Sequence, residues 1–476
     1  MTASSTGPSA PDGVTGRLAT WIHDLTWDDI PAHVRTRAAH LVLDGLGCAL
    51  VGAQLPWSRL ATEAVLSIEG DGAATVIGTG RTTTPSGAAL LNSTFIQGFE
   101  LDDFHPFAPL HSASLLVPSL LATAAHLGRA VSGRELLTAA VVGFEVGPRV
   151  GYSIGGTGML SRGWHSGPVF GGPSAAAACA KLRGLEPAQI EDTLGFAATQ
   201  SAGLMSAQYE AMGKRMQHGF AARNGFYSAA LAATGYTGID QVFEREYGGY
   251  VAVYGEGHPT DAGAIVRGLG EHWETTMAMV KSWAVMGGLH GAVQAAQALR
   301  TRLADRTIDA IDIRVGDVVY HHGWWRPERP LAAIGGQMNI GYVTAVTLLD
   351  GTALPEQFTQ ARLDADDVWR LLDRTHVALD RSIDELPLGE RFQTHITLTF
   401  TDGSTDSESV IAPHGNPQDP ITDDEVVTKF RALTDRVMEP DRAGGIVDIV
   451  RGLADAPSVA PLVALLAQPV GRALDR

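Results

Sequence analysis

The spacing of apolar and polar residues divides the chain into two parts. From residue 30 to about residue 270, apolar residues recur with helical spacing, and glycine or proline separates the runs. The pattern predicts helices at 31–45, 85–99, 136–142, 174–182, 187–199 and 220–234. Ser132 and Glu135 form a predicted capping box ahead of the third of these. Because these segments are apolar over much of their surface, we expect them to pack together as an all-α core.

The pattern changes near residue 275. Strands are predicted at 308–315, 391–400 and 404–411, and helices at 336–349 and 366–372. Asp402-Gly403 is a hairpin turn signal between the last two strands. A second capping box, Thr422 with Glu425, opens the helices that end the chain. The sequence therefore predicts a mainly α fold with a smaller α+β domain.

We expect the chain to form two domains and a disordered N-terminal segment. Residues 279–417 form an α+β lid domain, whereas residues 1–278 and 418–476 together form an all-α domain on which the C-terminal tail packs. Residues 1–14 are rich in Ser, Pro and Gly, and we expect them to be disordered.

Composition and charge narrow the class of protein. An apolar fraction of 45% with 18% charged residues is typical of a soluble globular protein. The net charge of −17 argues against binding to nucleic acid or anionic membranes. No signal peptide or bilayer-length apolar run is evident. Cys48 and Cys179 lie in apolar helical runs, which indicates buried thiols. We expect a cytoplasmic protein.

Acids and histidines are concentrated in one segment that lacks lysine and arginine. They are Glu100, Asp102, Asp103, His105 and His111. The acids follow the predicted helix 85–99, where the helix dipole disfavours negative charge. A carboxylate beside an imidazole raises its pKa and fixes its tautomer, which suits a general acid. The alternative is a solvated loop with two surface histidines.

Two further segments place candidate groups ahead of predicted helices. His165 lies in the glycine-flanked segment 163–168, where the N–H groups of a following helix could hold a carboxylate. The alternative is a loop that only packs. Lys214, Arg215 and His218 precede the helix at 220–234 and suit carboxylate capture, the alternative being a solvated basic face.

The boundary between the two parts carries Lys281 and His290, and small-molecule sites collect at such boundaries. Tyr320, His321 and His322 are interpreted as following a strand that extends to residue 319. Neighbours on a strand point to opposite faces, so the histidine pair is not expected to bind a metal. No other segment has metal-ligand spacing, and we expect no metal.

In order and spacing, several motifs resemble the MmgE/PrpD family from about residue 15 to the C-terminus. They are Leu43-Asp44-Gly45, Leu101-Asp102-Asp103, His111-Ser112, Gly163-Trp164-His165, Lys214-Arg215 with Gln217-His218-Gly219, and Lys281 with His290. The family includes 2-methylcitrate dehydratases, cis-aconitate decarboxylases and an iminodisuccinate epimerase. The motifs are most similar to the fungal type of decarboxylase.

The resemblance implies a cofactor-free homodimeric enzyme with its site between the two domains. The residues that it implies as catalytic are His111, His165, Lys214, Lys281 and Tyr320. Those that it implies as substrate-binding are Asp102, Asp103, Arg215, Gln217, His218 and His290. The implied substrate is a small di- or tricarboxylate.

The resemblance leaves the reaction open. Decarboxylation of cis-aconitate to itaconate is the expectation, and dehydration of the 2-methylcitrate type or epimerisation of the iminodisuccinate type are the alternatives. A non-catalytic polycarboxylate-binding protein is a further alternative. All three reactions develop negative charge beside a carboxylate, so each needs cations and a positioned proton carrier.

Overall fold

The computed structural model describes residues 6–474 and confirms a mainly α fold with a smaller α+β part. The helices before the main sheet are α1 (Val14–Asp24), α2 (Ala32–Gly52), α3 (Pro56–Ile68), α4 (Pro85–Ile96), α5 (Ser112–Leu127), α6 (Gly133–Ser153), α7 (Gly158–Ser161), α8 (Ser166–Arg183), α9 (Pro187–Ala198), α10 (Gly213–Ala233), α11 (Tyr250–Tyr254) and α12 (His290–Arg300). The later helices are α13 (Asp317–Gly323), α14 (Ala333–Met338), α15 (Ile340–Asp350), α16 (Gln360–Leu363), α17 (Asp366–Leu372), α18 (Asp423–Thr434), α19 (Pro440–Arg451) and α20 (Ala460–Ala467). The strands are β1 (Ala74–Val76), β2 (Arg81–Thr83), β3 (Ile308–Val315), β4 (Thr375–Leu379), β5 (Thr394–Phe400) and β6 (Thr405–Val410).

The core of the helical part is a group of closely packed helices, α4, α5, α6, α8 and α10. Glycine allows the close approach. A Cβ at Gly143 of α6 would lie 2.1 Å from Leu116 Cδ2 of α5, and a Cβ at Gly225 of α10 would lie 2.5 Å from Ala175 Cβ of α8. The many glycines of this chain therefore serve helix packing as well as turns.

Two helix limits were predicted wrongly for this reason. The structure extends α2 through Gly45, where a Cβ would lie 2.9 Å from Ala113 Cβ, and starts α10 at Gly213 and not at residue 220. At Gly219 a Cβ would lie 2.6 Å from the Leu90 carbonyl oxygen. Gly45 and Gly219 mark contacts between helices, not helix ends.

The predicted start of helix α8 at residue 174 is also wrong. It begins at Ser166 and runs through Gly171-Gly172-Pro173, a segment that the pattern predicts as a turn before residue 174. Nearly all of α8 is buried against α5, α6, α9 and α10, and this packing outweighs the weak helix propensity of glycine and proline. As a result, His165 lies directly at the helix N-terminus.

The α+β part contains a four-stranded sheet with strand order β4-β3-β5-β6. Strand β3 is parallel to β4 and antiparallel to β5, and the β5–β6 hairpin turns at Asp402-Gly403 as predicted. Helix α12 packs on β5, β6 and α15. The details that were not predicted include strand β4, the short β1–β2 ribbon within the helical part, and the break at Asn339, whose side chain caps α15.

The strand predicted to extend to residue 319 is wrong. Strand β3 ends at Val315, and residues 317–323 form α13. Gly316 has extended backbone and Asp317 occupies the first turn, where an acid is favoured by the helix dipole. Tyr320, His321 and His322 therefore follow helical geometry.

The C-terminal helices return to the first part of the chain. Helices α18 and α19 pack on α2, and Phe430 of α18 lies over Gly47, where a Cβ would be 2.9 Å from Phe430 Cδ2. This contact supports our proposal that 1–278 and 418–476 form one domain and 279–417 another. A single hydrophobic cluster nevertheless extends from α2 to the main sheet.

The N-terminal segment differs from expectation. Residues 1–5 lie outside the described residues, but the chain from residue 6 has defined contacts, since Ser9 Oγ donates a hydrogen bond of 2.8 Å to Glu191. The expected disorder is therefore wrong for residues 6–14. Cys48 and Cys179 are buried free thiols, as predicted.

No single helix in residues 6–474 combines the length and apolar composition needed to cross a bilayer. Helices α2 and α3 meet that criterion only as a pair, with a bend of 87° between them.

Phe430→Ala is expected to lower the free energy of unfolding by about 3–5 kcal/mol, because it opens a cavity between α18 and α2. Urea denaturation measures the change. Tyr247, which is 95% exposed, provides the control, and Tyr247→Ala is expected to change stability by no more than about 0.5 kcal/mol. Equal effects of the two substitutions would contradict this packing.

Candidate active site

A cavity lies where the helical part meets the α+β part. The helical part contributes Glu100, Phe104, Pro109, His111, Leu160, His165, Ser166, Met205 and Lys214. The α+β part contributes Met286, Gly287, Gly288, Val318, Val319, His322, Met338 and Phe392. The lining is largely apolar with a few charged and polar groups, which is the usual character of a small-molecule site.

Glu100 is shared by two buried lysines at this cavity. Lys214 Nζ lies 2.5 Å from Glu100 Oε1 and Lys281 Nζ lies 3.3 Å from Oε2, and none of the three side chains is more than 2% exposed. Burial opposes the charge of Glu100, but the two ammonium groups outweigh it and hold the pKa of Glu100 well below its usual range. Two ammonium groups and one carboxylate leave one positive charge in this cluster.

The backbone around Glu100 is held in an uncommon conformation. Helix α4 ends in a 3₁₀ turn at Gln97–Phe99, and Glu100 follows in the left-handed region with φ 55° and ψ 34°. That conformation costs a non-glycine residue roughly 1–2 kcal/mol. Phe104 and Met279 exchange backbone hydrogen bonds of 2.9 and 2.8 Å, so the Glu100 loop and the Lys281 segment are fixed in register.

Three histidine rings pack edge to face beside the cluster of Glu100, Lys214 and Lys281. The His218 ring lies between His111 and His165, with centroid separations of 5.3 and 4.8 Å and edge-to-face geometry. A Cβ at Gly167 would lie 2.2 Å from His218 Nε2, so glycine is needed there for the ring to fit beside α8.

The tautomer of His165 follows from its neighbour. His165 Nδ1 lies 2.9 Å from Gln217 Oε1, and that oxygen also accepts the Leu204 N–H at 3.0 Å. The oxygen is an acceptor, so His165 Nδ1 carries a proton and Nε2 has a free lone pair. Burial and the nearby Lys214 ammonium hold the pKa of His165 well below its usual range, and the ring is neutral at pH 7.

Two neighbouring acids support His111. Asp102 Oδ1 lies 3.3 Å from His111 Nδ1, an ion-pair distance, although the groups are not aligned for a hydrogen bond. Asp103 accepts hydrogen bonds from the Ser112 and Ala113 amides at 3.1 and 2.8 Å, and so caps α5. Burial and Asp102 raise the pKa of Asp103 well above its usual range. The two acids thus fix His111, which immediately precedes α5.

The N-terminus of α8 also faces the cavity. Ser166, its first residue, lines the cavity and donates its hydroxyl hydrogen to the Pro109 carbonyl at 2.6 Å. No side chain caps the first turn of this helix. Its amide groups and dipole favour an anion at this end.

The remaining sequence-derived candidates do not line the cavity. Arg215 donates to the Gly98 carbonyl at 2.6 Å and stacks 4.1 Å from the Trp57 ring centroid. His290 is fully buried against Trp283. Tyr320 projects from α13 and contacts the ring of the next residue, His321. The candidates that lie behind the lining groups are Asp102, Asp103, Gln217, His218 and Lys281.

Sequence reasoning assigned no role to two groups that do line the cavity. Glu100 was grouped with the acids but was not recognised as the partner of two lysines. His322 reaches the cavity because α13 replaces the predicted strand, and burial together with Lys214 lowers its pKa to about 3. The Gly316-Asp317 helix start was the available signal for His322.

No group of three or more His, Cys, Asp or Glu side chains in residues 6–474 is arranged to hold a metal ion.

Two family profiles cover most of the chain. The profile of the MmgE/PrpD N-terminal domain matches residues 16–262, and that of the C-terminal domain matches residues 283–455. The chain belongs to the MmgE/PrpD family. The gap between the two MmgE/PrpD matches contains Lys281 and Met279, which join the Glu100 loop to the rest of the site.

Several members of this family are similar to the chain over nearly its whole length. The cis-aconitate decarboxylase-like protein oryM of Aspergillus oryzae is 44% identical over 479 residues, covering 96% of this chain and 98% of its own. A cis-aconitate decarboxylase of Aspergillus terreus is 40% identical over 491 residues, covering 99% of each chain. The human cis-aconitate decarboxylase is 27% identical over 469 residues, covering 96% of this chain and 95% of its own.

Glu100→Gln is expected to lower the free energy of unfolding by about 3–5 kcal/mol at pH 6, because it leaves two buried ammonium groups without a counter-charge. The folded-state pKa of Glu100 is depressed, so its stabilising effect is fully present above the unfolded-state value of about 4.3 and is lost as pH falls through the folded-state value. Urea denaturation should therefore show a smaller difference from wild type when the pH falls well below about 4.

The control is Glu63→Gln at an exposed position of α3, which is expected to change stability by no more than about 0.5 kcal/mol. A Glu100→Gln effect that grows on acidification would contradict the depressed pKa.

Proposed function

We propose that the protein is a cofactor-free cis-aconitate decarboxylase that forms itaconate and CO₂. The observation that carries the proposal is the cavity in which Lys214, backed by Lys281 through Glu100, meets His111 and the uncapped N-terminus of α8. The near full-length similarity to a cis-aconitate decarboxylase at 40% identity, and to a cis-aconitate decarboxylase-like protein at 44%, supports this reaction over others in the family.

The reaction requires an anion site and one proton. The bond to the carboxylate on the methylene carbon of cis-aconitate breaks, and its electron pair forms the new C=C bond. The former double-bond pair moves to the carbon beside the other terminal carboxylate, where it is delocalised. One proton then adds at that carbon, so the trianion and a proton give CO₂ and the itaconate dianion.

The cations would stabilise the carbanion as it forms. Lys214 lines the cavity, and the Glu100 cluster retains one positive charge that a substrate carboxylate can meet. The first-turn amides of α8 offer a second anchor beside Ser166. Fixed positive charge in a buried site is the term expected to contribute most to catalysis.

His111 is the proposed proton donor. Its Nδ1 lies 3.3 Å from Oδ1 of the buried Asp102, and this contact orients the ring. His165 is neutral with a free Nε2, which suits substrate orientation in decarboxylation. The same lone pair would serve as the base in a dehydration or an epimerisation, so His165 is the one feature that favours those alternatives.

Other residues would act indirectly. Gln217 fixes the His165 tautomer, and Lys281 sets the charge of the Glu100 cluster. We propose structural roles for Arg215, His290 and Tyr320, since none lines the cavity.

We also propose a homodimer that works in the cytoplasm. The outer face of α10 exposes Phe220, Tyr227 and Leu231, a row of apolar side chains that supports contact with a second copy. The free thiols of Cys48 and Cys179 are consistent with a reducing compartment.

Purified protein is expected to convert cis-aconitate into itaconate and CO₂ in equal amounts. Proton NMR measures the itaconate that is formed. 2-Methylcitrate and iminodisuccinate are the comparison substrates, and little turnover of either is expected. Turnover of one of them with no CO₂ from cis-aconitate would overturn the proposed reaction and indicate a dehydratase or an epimerase.

His111→Ala and His165→Ala are each expected to fold normally and to lose at least about a hundredfold in kcat, the first because it removes the proton donor and the second because it removes a group that orients the substrate. His258→Ala, at an exposed position, is the control and should match wild type. Circular dichroism checks the fold of each variant. Near-normal turnover by both site variants would remove this mechanism.

A further inference from the structure

Lys429 of α18 contacts the acidic loop, residues 99–105, and does not itself line the cavity. Its Nζ donates a 2.6 Å hydrogen bond to the Leu101 carbonyl and lies 2.6 Å from Asp44 Oδ1 of α2. The Lys429 side chain is only 10% exposed and Asp44 only 1%. A buried ammonium group requires a counter-ion, and Asp44 provides it.

The Leu101 carbonyl, which Lys429 contacts, lies between two residues of the site. Leu101 lies between Glu100, whose backbone is left-handed, and Asp102, which contacts His111. The hydrogen bond from Lys429 fixes the plane of the Leu101–Asp102 peptide, from which the Asp102 side chain departs. The Lys429 ammonium also attracts the Asp102 carboxylate through space, and Asp44 raises the pKa of Lys429 although burial opposes its charge.

Lys429 is the closest cation to Asp44, and Arg37 makes a smaller electrostatic contribution. The pair joins α2, the acidic loop and α18, three segments that are far apart in the chain. A helix near the C-terminus thus bears directly on the loop that carries Glu100.

We propose that Lys429 is a positioning residue for the reaction. It holds Glu100 and Asp102 in their working geometry, and Asp44 is its counter-ion. The expected effect on kcat rests on the proposed function. The expected structural effect, an ordered loop at residues 99–105, does not depend on which substrate is turned over.

The test compares Lys429→Met with the double variant Lys429→Met/Asp44→Asn. The single variant leaves Asp44 buried and unpaired and is expected to melt at lower temperature. The double variant removes both charges together, so its melting temperature should return close to that of wild type. Arg431→Met, at an exposed position of the same helix, is the matched control.

The double variant separates positioning from stability. We expect its kcat for cis-aconitate to remain about a hundredfold below wild type, with KM near the wild-type value, because misplaced catalytic groups slow the chemical step. Hydrogen–deuterium exchange should be faster at residues 99–105 and unchanged in α8. Recovery of wild-type kcat and exchange along with the melting temperature would overturn the proposal.

Hydrogen–deuterium exchange distinguishes a failure of the Lys429 proposal from a failure of the proposed function. If wild-type protein releases no CO₂ from cis-aconitate, the proposed function fails. In that case, faster exchange at residues 99–105 in the double variant still supports positioning by Lys429, and unchanged exchange overturns it.

Discussion

The site depends on one buried carboxylate, Glu100, that is shared by two lysines. Neither Lys214 nor Lys281 could remain charged in the dry interior without a counter-ion, and a separate acid for each would cancel the positive charge. One acid for two lysines keeps both ammonium groups buried and leaves one positive charge available to an anionic ligand. In a chain with a net charge of −17, such attraction acts at contact distance and not by long-range steering.

The fold builds this site from helix starts. His111 and His165 immediately precede α5 and α8, and Lys214 lies in the first turn of α10. Glycines let these helices approach closely enough for their N-termini to converge on one cavity. The α+β part closes the cavity from the other side with α13 and the segment around Met286. The acidic loop is held between these two sides.

The sequence predicts the overall architecture well because helical spacing, capping boxes and a hairpin turn are local signals. Glycine-rich segments such as residues 171–173 were misjudged, because a glycine at a helix contact and a glycine at a helix end look alike in sequence. The same limit applies to the site. His111, His165 and Lys214 were predicted as site residues and line the cavity, whereas Arg215 resembles an anchor in sequence but is bound by a backbone carbonyl and an aromatic ring. Only tertiary contacts reveal which buried cation faces the cavity and which supports the core.

The central claim is that the Glu100–Lys214–His111 cavity binds the substrate for decarboxylation. A crystal structure of the His111→Ala variant with cis-aconitate tests it most directly. We expect the tricarboxylate in this cavity, with one carboxylate on Lys214 and another at the N-terminus of α8. A ligand bound elsewhere, or one that contacts neither group, would contradict it.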